Sequence, residues 1–180
     1  MPERVLLLAA LALSLAGYAK AQEATGPKAE EVKKEIIKLE EDKLKAFQST
    51  GTSHNFCPDW VRSYDAERMV HINANGTEDT KAGLLRDVQN GNRKLLSARY
   101  GPQDIRVYGD GGNGTTAVTT YSTFYDIELY SKRSDDEKHN VVDVWVNRDG
   151  KWWLVVHSVH ALPSPEAVKL QADKTKGTDK

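Results

Sequence analysis

Only one cysteine, Cys57, occurs in the 180 residues, so no intrachain disulfide forms and no Cys–His spacing offers a zinc site. Charge of either sign is not in excess: 25 Lys and Arg stand against 26 Asp and Glu. That balance excludes the electrostatic footprint of a nucleic-acid or anionic-membrane binder. Long apolar runs are missing too. The run from Val5 to Ala16 falls short of the ~20 residues a membrane-spanning helix needs. Gly-x-Ser-x-Gly is absent, and Gly111-Gly112-Asn113-Gly114 lacks the lysine and following helix of a phosphate loop. No internal repeat occurs.

What the chain does have begins with that short apolar run. Arg4 precedes it and Ala19-Lys20-Ala21 follows, which predicts a secretory signal over residues 1–21, cleaved after Ala21. Removing Arg4, Lys20 and Glu3 leaves 23 basic against 25 acidic side chains, a net of −2. The expected location is periplasmic or secreted, with no membrane span after cleavage. Residues 22–29 form a polar linker, and residues 163–180 a Lys-rich tail of disordered composition. One domain over residues 30–162 remains, large enough to bury roughly 70% of its unfolded surface. The Asn75-Gly76-Thr77 and Asn113-Gly114-Thr115 sequons read as turns.

Periodicity supplies the elements. Ala29 to Gln48 is helix-prone, with Val32, Ile36, Ile37, Leu39, Leu44, Ala46 and Phe47 on an apolar stripe. Lys43 falls inside that stripe; a lysine there is expected to snorkel, packing its stem and releasing its ammonium to solvent. Pro58 opens a short helix through Tyr64, Met69–Asn73 reads as a strand, and Thr80 caps a helix through Val88. Strands follow over Arg99–Tyr108 and Thr115–Tyr130, with Ser131–His139 as a charged loop between hairpin arms. Last come Val141–Asn147 and Lys151–His160, joined at Arg148-Asp149-Gly150, the strongest hairpin signal in the chain. Helices early and strands late imply an α+β fold, with helices on one face of an antiparallel sheet.

Three places carry a family resemblance: Leu44-Lys45-Ala46-Phe47; Tyr64-Asp65-Ala66-Glu67 with Met69–Asn73 and Gly76; and the closing hairpin. Together they resemble the NTF2-like superfamily, especially its SnoaL-like and DUF4440-type members, over Glu30–Leu162. The resemblance implies a cone in which a curved antiparallel sheet carries three helices on its concave side around one cavity. It also implies a homodimer packed through the open sheet face, and no cofactor.

Within that superfamily, Asp143 is similar to the aspartic acid that ketosteroid isomerases keep protonated to stabilise an oxyanion. The isomerase tyrosine has no counterpart, Lys43 being nearest by position. At the place of its carboxylate base stand His71, Ile72 and Asn73. By alternation Asp143 shares a face with Trp145, and His157 with Trp153; the resemblance turns these faces inward, gathering Lys43, Asp143, Trp145, Trp153, His157 and His71, with Tyr64 nearby, around an aromatic hollow. Asp143 and Lys43 each keep a plain alternative, a cross-strand ion pair on a solvated face and a snorkelling lysine. His157 and His160, three apart on a strand, face opposite sides, and no metal is expected. Two functions follow. One is binding of a small apolar or amphipathic molecule, with Lys43, Tyr64, Trp145 and Trp153 as contacts. The other is proton transfer on a carbonyl compound by an isomerase-, cyclase- or dehydratase-like enzyme, with Asp143 as donor and His71 or His157 as base.

Overall fold

The structure, a computed structural model, describes residues 22–48 and 58–161. The expected signal segment, Cys57 and the expected tail over residues 163–180 lie outside the described residues.

Pro27 fits the first turn of helix α1 (Pro27–Gln48), where its missing N–H costs nothing. The helix buries Ala29, Val32 and Ile36, and then, at the same spacing, Glu40 and Lys43. Its buried stripe thus turns from apolar to ionic along its length. Ile37 falls off that stripe and is 40% exposed, while Lys43 is 1% exposed and does not snorkel. Helix α2 (Pro58–Tyr64) runs directly into strand β1 (Asp65–Ile72), which begins four residues before the apolar pattern that predicts it. A two-residue strand β2 (Glu78–Asp79) precedes helix α3 (Lys81–Gln89), capped by Thr80 accepting from the Gly83 N–H at 3.0 Å.

Four long strands complete the chain: β3 (Arg93–Tyr108), β4 (Thr116–Leu129), β5 (Lys132–Arg148) and β6 (Lys151–Ala161). Their order in the sheet is β2-β1-β6-β5-β4-β3. Every neighbouring pair is antiparallel except β1 with β6, which the intervening elements bring together in parallel. Asp149 (φ 55°) and Gly150 (φ 77°) make the closing turn, the paired positive φ that a two-residue hairpin needs. Tyr130 (φ 48°) and Ser131 (φ 63°) do the same between β4 and β5. The charged segment expected as a loop is therefore strand. Lys132–Asn140 pairs with β4 where the hairpin extends beyond the core, so backbone hydrogen bonding replaces apolar alternation.

Register breaks curve the sheet. One falls at Gly101-Pro102, where a Cβ on Gly101 would meet Ser122 Oγ at 2.6 Å. Another falls between Val144 and Trp145, opposite Val155. Around the concave face, α1, Trp60, Met69, Leu84, Trp145 and Leu154 build the main apolar cluster. A smaller cluster joins Tyr121, Tyr125, Val141 and Val159.

Candidate functional site

One rung of the sheet sets the site. Thr119 of β4 lies opposite Asp143 of β5, Asp143 opposite His157 of β6, and His157 beside His71 of β1. Above this rung comes the ionic end of the α1 stripe. Lys43 Nζ donates to Asp143 Oδ2 at 2.5 Å, reaches Glu40 Oε2 at 2.5 Å and donates to Tyr121 Oη at 3.1 Å. Tyr121 Oη donates to the same Asp143 oxygen at 2.8 Å. Trp145 Nε1 donates to Glu40 Oε1 at 2.9 Å.

Asp143 is fully buried, and burial alone would raise its pKa; Lys43 and then His157 outweigh that and hold the carboxyl well below the usual range. It is a carboxylate, and a carboxylate only accepts, so His157 Nδ1–H donates to Asp143 Oδ1 at 2.5 Å. The protonated aspartic acid that the isomerase resemblance implies is not formed, because a lysine stands over it in place of a tyrosine. Tyr121, from β4 rather than from the first helix, supplies the phenol.

Glu40 behaves in the opposite way. It touches Lys43 as closely as Asp143 does, yet burial first, opposed by Lys43 and reinforced by the Asp143 charge, pushes it up to about 8. One ammonium shared by two buried carboxyls neutralises one of them, and the other keeps its proton. Asp143 accepts from Lys43, Tyr121 and His157, so the proton stays on Glu40.

A cleft opens beside this network, with about 240 Å³ of empty space counting its mouth and room for about one water molecule in its depth. Its apolar lining is Trp60, Met69, Leu84 and Leu154. Its polar lining is Lys43, Asp65, His71 and His157. His71 is held neutral, its pKa lowered first by burial and then by His157 and Arg93. Arg93 Nη1 lies 3.3 Å from His71 Nε2 and its Nη2 donates to Asp79 at 2.9 Å, tying β3 to the short β2. The His71 and His157 rings lie 4.9 Å apart. Asp65, 3% exposed, is pushed up to about 7 by burial, against the pull of Lys43 and Lys81.

The expected residues sort clearly. Lys43, His71 and His157 line the cleft, with Asp143 and Trp145 in the network behind them. Tyr64 stacks on Trp60 with centroids 4.1 Å apart, one side chain removed from the lining. Trp153 does not face inward. The break at Val155 shifts the alternation of β6 once, so Trp152 and Leu154 are buried before it and Val159 after it. Trp153 instead stacks under Lys151 Nζ at 4.0 Å.

Glu40, Tyr121, Trp60 and Asp65 were not singled out by sequence reasoning. Glu40 sits three residues before Lys43 on the same stripe, and Tyr121 lies on the inward alternation of β4, so both had a signal. Asp65 had only its place in the Tyr64-Asp65-Ala66-Glu67 run.

No protein-family model matches the chain, and no curated protein matches it in sequence. Solved structures do match. An NTF2-like protein from Cytophaga hutchinsonii superimposes with a TM-score of 0.61, at 19% identity over 72% of this chain and 98% of that one. A putative Ca/calmodulin-dependent kinase II association domain from Exiguobacterium sibiricum gives 0.60 at 11% identity, over 78% and 98%. Aln2 from a Streptomyces species gives 0.57 at 11% identity, over 83% and 99%. With helices on the concave face of a curved sheet, and these structures superimposed along almost their whole length, the chain has the NTF2-like fold.

Proposed function

We propose that this domain binds a small amphipathic molecule in the cleft beside Lys43, as a homodimer exported from the cytoplasm. The observation that carries the reading is the lining itself, four apolar side chains facing four titratable ones in a single cleft. Such convergence of a few polar groups on an apolar wall is the usual make-up of a small-molecule site. The enclosed depth of the cleft holds only about one water-sized group, so the ligand is small and most of it lies in the mouth.

A thermal-shift screen of small phenols, carbonyl compounds and aromatic acids tests it. A ligand at 100 times its Kd adds about 2.7 kcal/mol of stability. His157→Phe, which fills the cleft, is expected to remove the shift. A screen without a hit, or hits that His157→Phe leaves intact, would overturn the reading.

Proton transfer is the second reading, favoured by one observation. Asp143 is driven down and Asp65 up to about 7, the divergence that separates acid from base in enzyme sites. Here His157, oriented by Asp143, and Asp65 face the bound compound. Exchange of a ligand's α-hydrogen with deuterated water, followed by NMR, distinguishes turnover from binding.

The homodimer is supported by the convex face of the sheet. Val118 lies opposite Val144, Val144 opposite Val156, and Val146 opposite Trp153, all half-buried, with Val70 39% exposed beside them. A contiguous apolar row of this kind marks an interaction surface. Val144→Lys is expected to shift the sedimentation coefficient from dimer to monomer; an unchanged value would exclude this face. Export rests on the apolar Val5–Ala16 run and Ala19-Lys20-Ala21.

A further inference from the structure

Two residues that line the cleft carry buried polar atoms without a hydrogen-bond partner: Asp65 Oδ1 and Trp60 Nε1. Both side chains are deeply buried, Asp65 at 3% and Trp60 at 6% exposure. Leaving a buried donor or acceptor unpaired is costly, and native proteins rarely do it without a reason. Here one orphan is an acceptor and the other a donor, and the side chains that carry them line the same cleft.

The chemistry of the missing partner follows from that pair. An indole N–H only donates, and Asp65 once ionised, above about pH 7, only accepts, so the group satisfying both there must accept once and donate once. A hydroxyl does this with one oxygen. A ligand carboxylate could accept from Trp60 but would meet Asp65 as a like charge, and an ammonium could donate to Asp65 but offers Trp60 nothing. Size agrees, since the depth of the cleft holds about one water-sized group. Trp60, Met69, Leu84 and Leu154 are left to cover an apolar body.

We propose that Asp65 and Trp60 form a two-point anchor for the hydroxyl of a small phenol or cyclic alcohol, whose ring lies in the mouth of the cleft. This rests on the binding reading above and adds the chemical class of the ligand and the two residues that select it. The high pKa of the Asp65 carboxyl accords with an oxygen that the protein itself does not satisfy.

Phenol, anisole and toluene separate the two contacts. They share a ring; phenol can donate and accept, anisole can only accept, and toluene can do neither. Each is titrated into the full-length protein while the indole N–H signals are followed by NMR, the Trp60 signal being assigned by its loss in Trp60→Phe. Phenol is expected to bind about ten- to a hundredfold more tightly than toluene, the range for a hydrogen bond to a charged group, with anisole between them. The Trp60 signal is expected to move with phenol and anisole. Asp65→Ala abolishes the preference for phenol over anisole, and Trp60→Phe abolishes that for anisole over toluene. Asp65→Asn, which keeps the shape and removes the charge, weakens phenol and secures the result if the alanine variant fails to fold. A phenol preference that survives both Asp65 variants overturns the anchor and leaves the cleft as a binding site of another kind. If none of the three probes moves a signal from the cleft, the anchor falls, and the binding reading is decided by the wider thermal-shift screen.

Discussion

Lys43→Met is expected to cost the fold about 3–5 kcal/mol, against a total stability of about 5–15 kcal/mol for a domain of this kind. The methionine fills nearly the same volume, so the loss is not a packing loss. It arises because Asp143, fully buried, keeps its charge or must take up a proton, with the chief cause of its low pKa gone. Glu40 loses its closest partner at the same time. The triple variant Glu40→Gln, Lys43→Met, Asp143→Asn is expected to regain most of this stability, since removing all the charges also removes the cost of burying them. Chemical denaturation of the single and triple variants measures both numbers. A single variant within about 0.5 kcal/mol of the parent, the range of ordinary surface substitutions, would show that the cluster carries no such weight.

The second large effect is on pH. Glu40 and Asp65 have folded-state pKa values raised to about 8 and about 7, above their unfolded values of 4.5 and 3.8. Between those limits the folded protein holds more protons than the unfolded chain, so stability falls as pH rises and returns as pH falls. His71, lowered by burial, works the other way below pH 6.5, where the unfolded chain takes up the proton. Two groups therefore favour acid above pH 6.5, and a net of one favours it from there down to about 4.5. Below about pH 4 the trend reverses, because Asp143 is depressed and its contribution is lost as it protonates. Stability is expected to peak between pH 4 and 5, about 3–4 kcal/mol above its value at pH 7, taking about 1.4 kcal/mol per net proton and pH unit. Thermal unfolding across pH 3–9 tests this, and a maximum at pH 7 or above would refute it. Asp65→Asn should flatten the profile between pH 4 and 7.

How far the sequence foretold these features depends on the kind of signal each residue gives. The closing hairpin was legible because Asp149-Gly150 has few other uses, and the helix cap at Thr80 for the same reason. Strand edges were not. Lys132–Asn140 is held by backbone pairing on an extended hairpin, and its charges hide it from any hydrophobic pattern. Asp143 and His157 were placed correctly on one face because alternation held between them and their partners across the sheet. Trp153 was misplaced because one unpaired residue at Val155 inverts the alternation on the turn side of the break, and no residue type announces it. Lys43 illustrates a deeper limit. Its burial depends on Asp143, 100 residues away, and a rule built on one side chain assigns the lysine to solvent.

That separation also bears on how the molecule forms. The β3–β6 hairpins join near neighbours in sequence, whereas Lys43 meets Asp143 only after α1 has docked on a sheet made from the far half of the chain. The entropy of closing so long a loop is lost before the contact gives anything back, which places the pair late in assembly. Interactions absent from the folding transition state do not quicken folding, and their strength appears in the rate of unfolding instead. The buried ions behind the cleft thus govern how long the assembled domain lasts, more than how fast it is made.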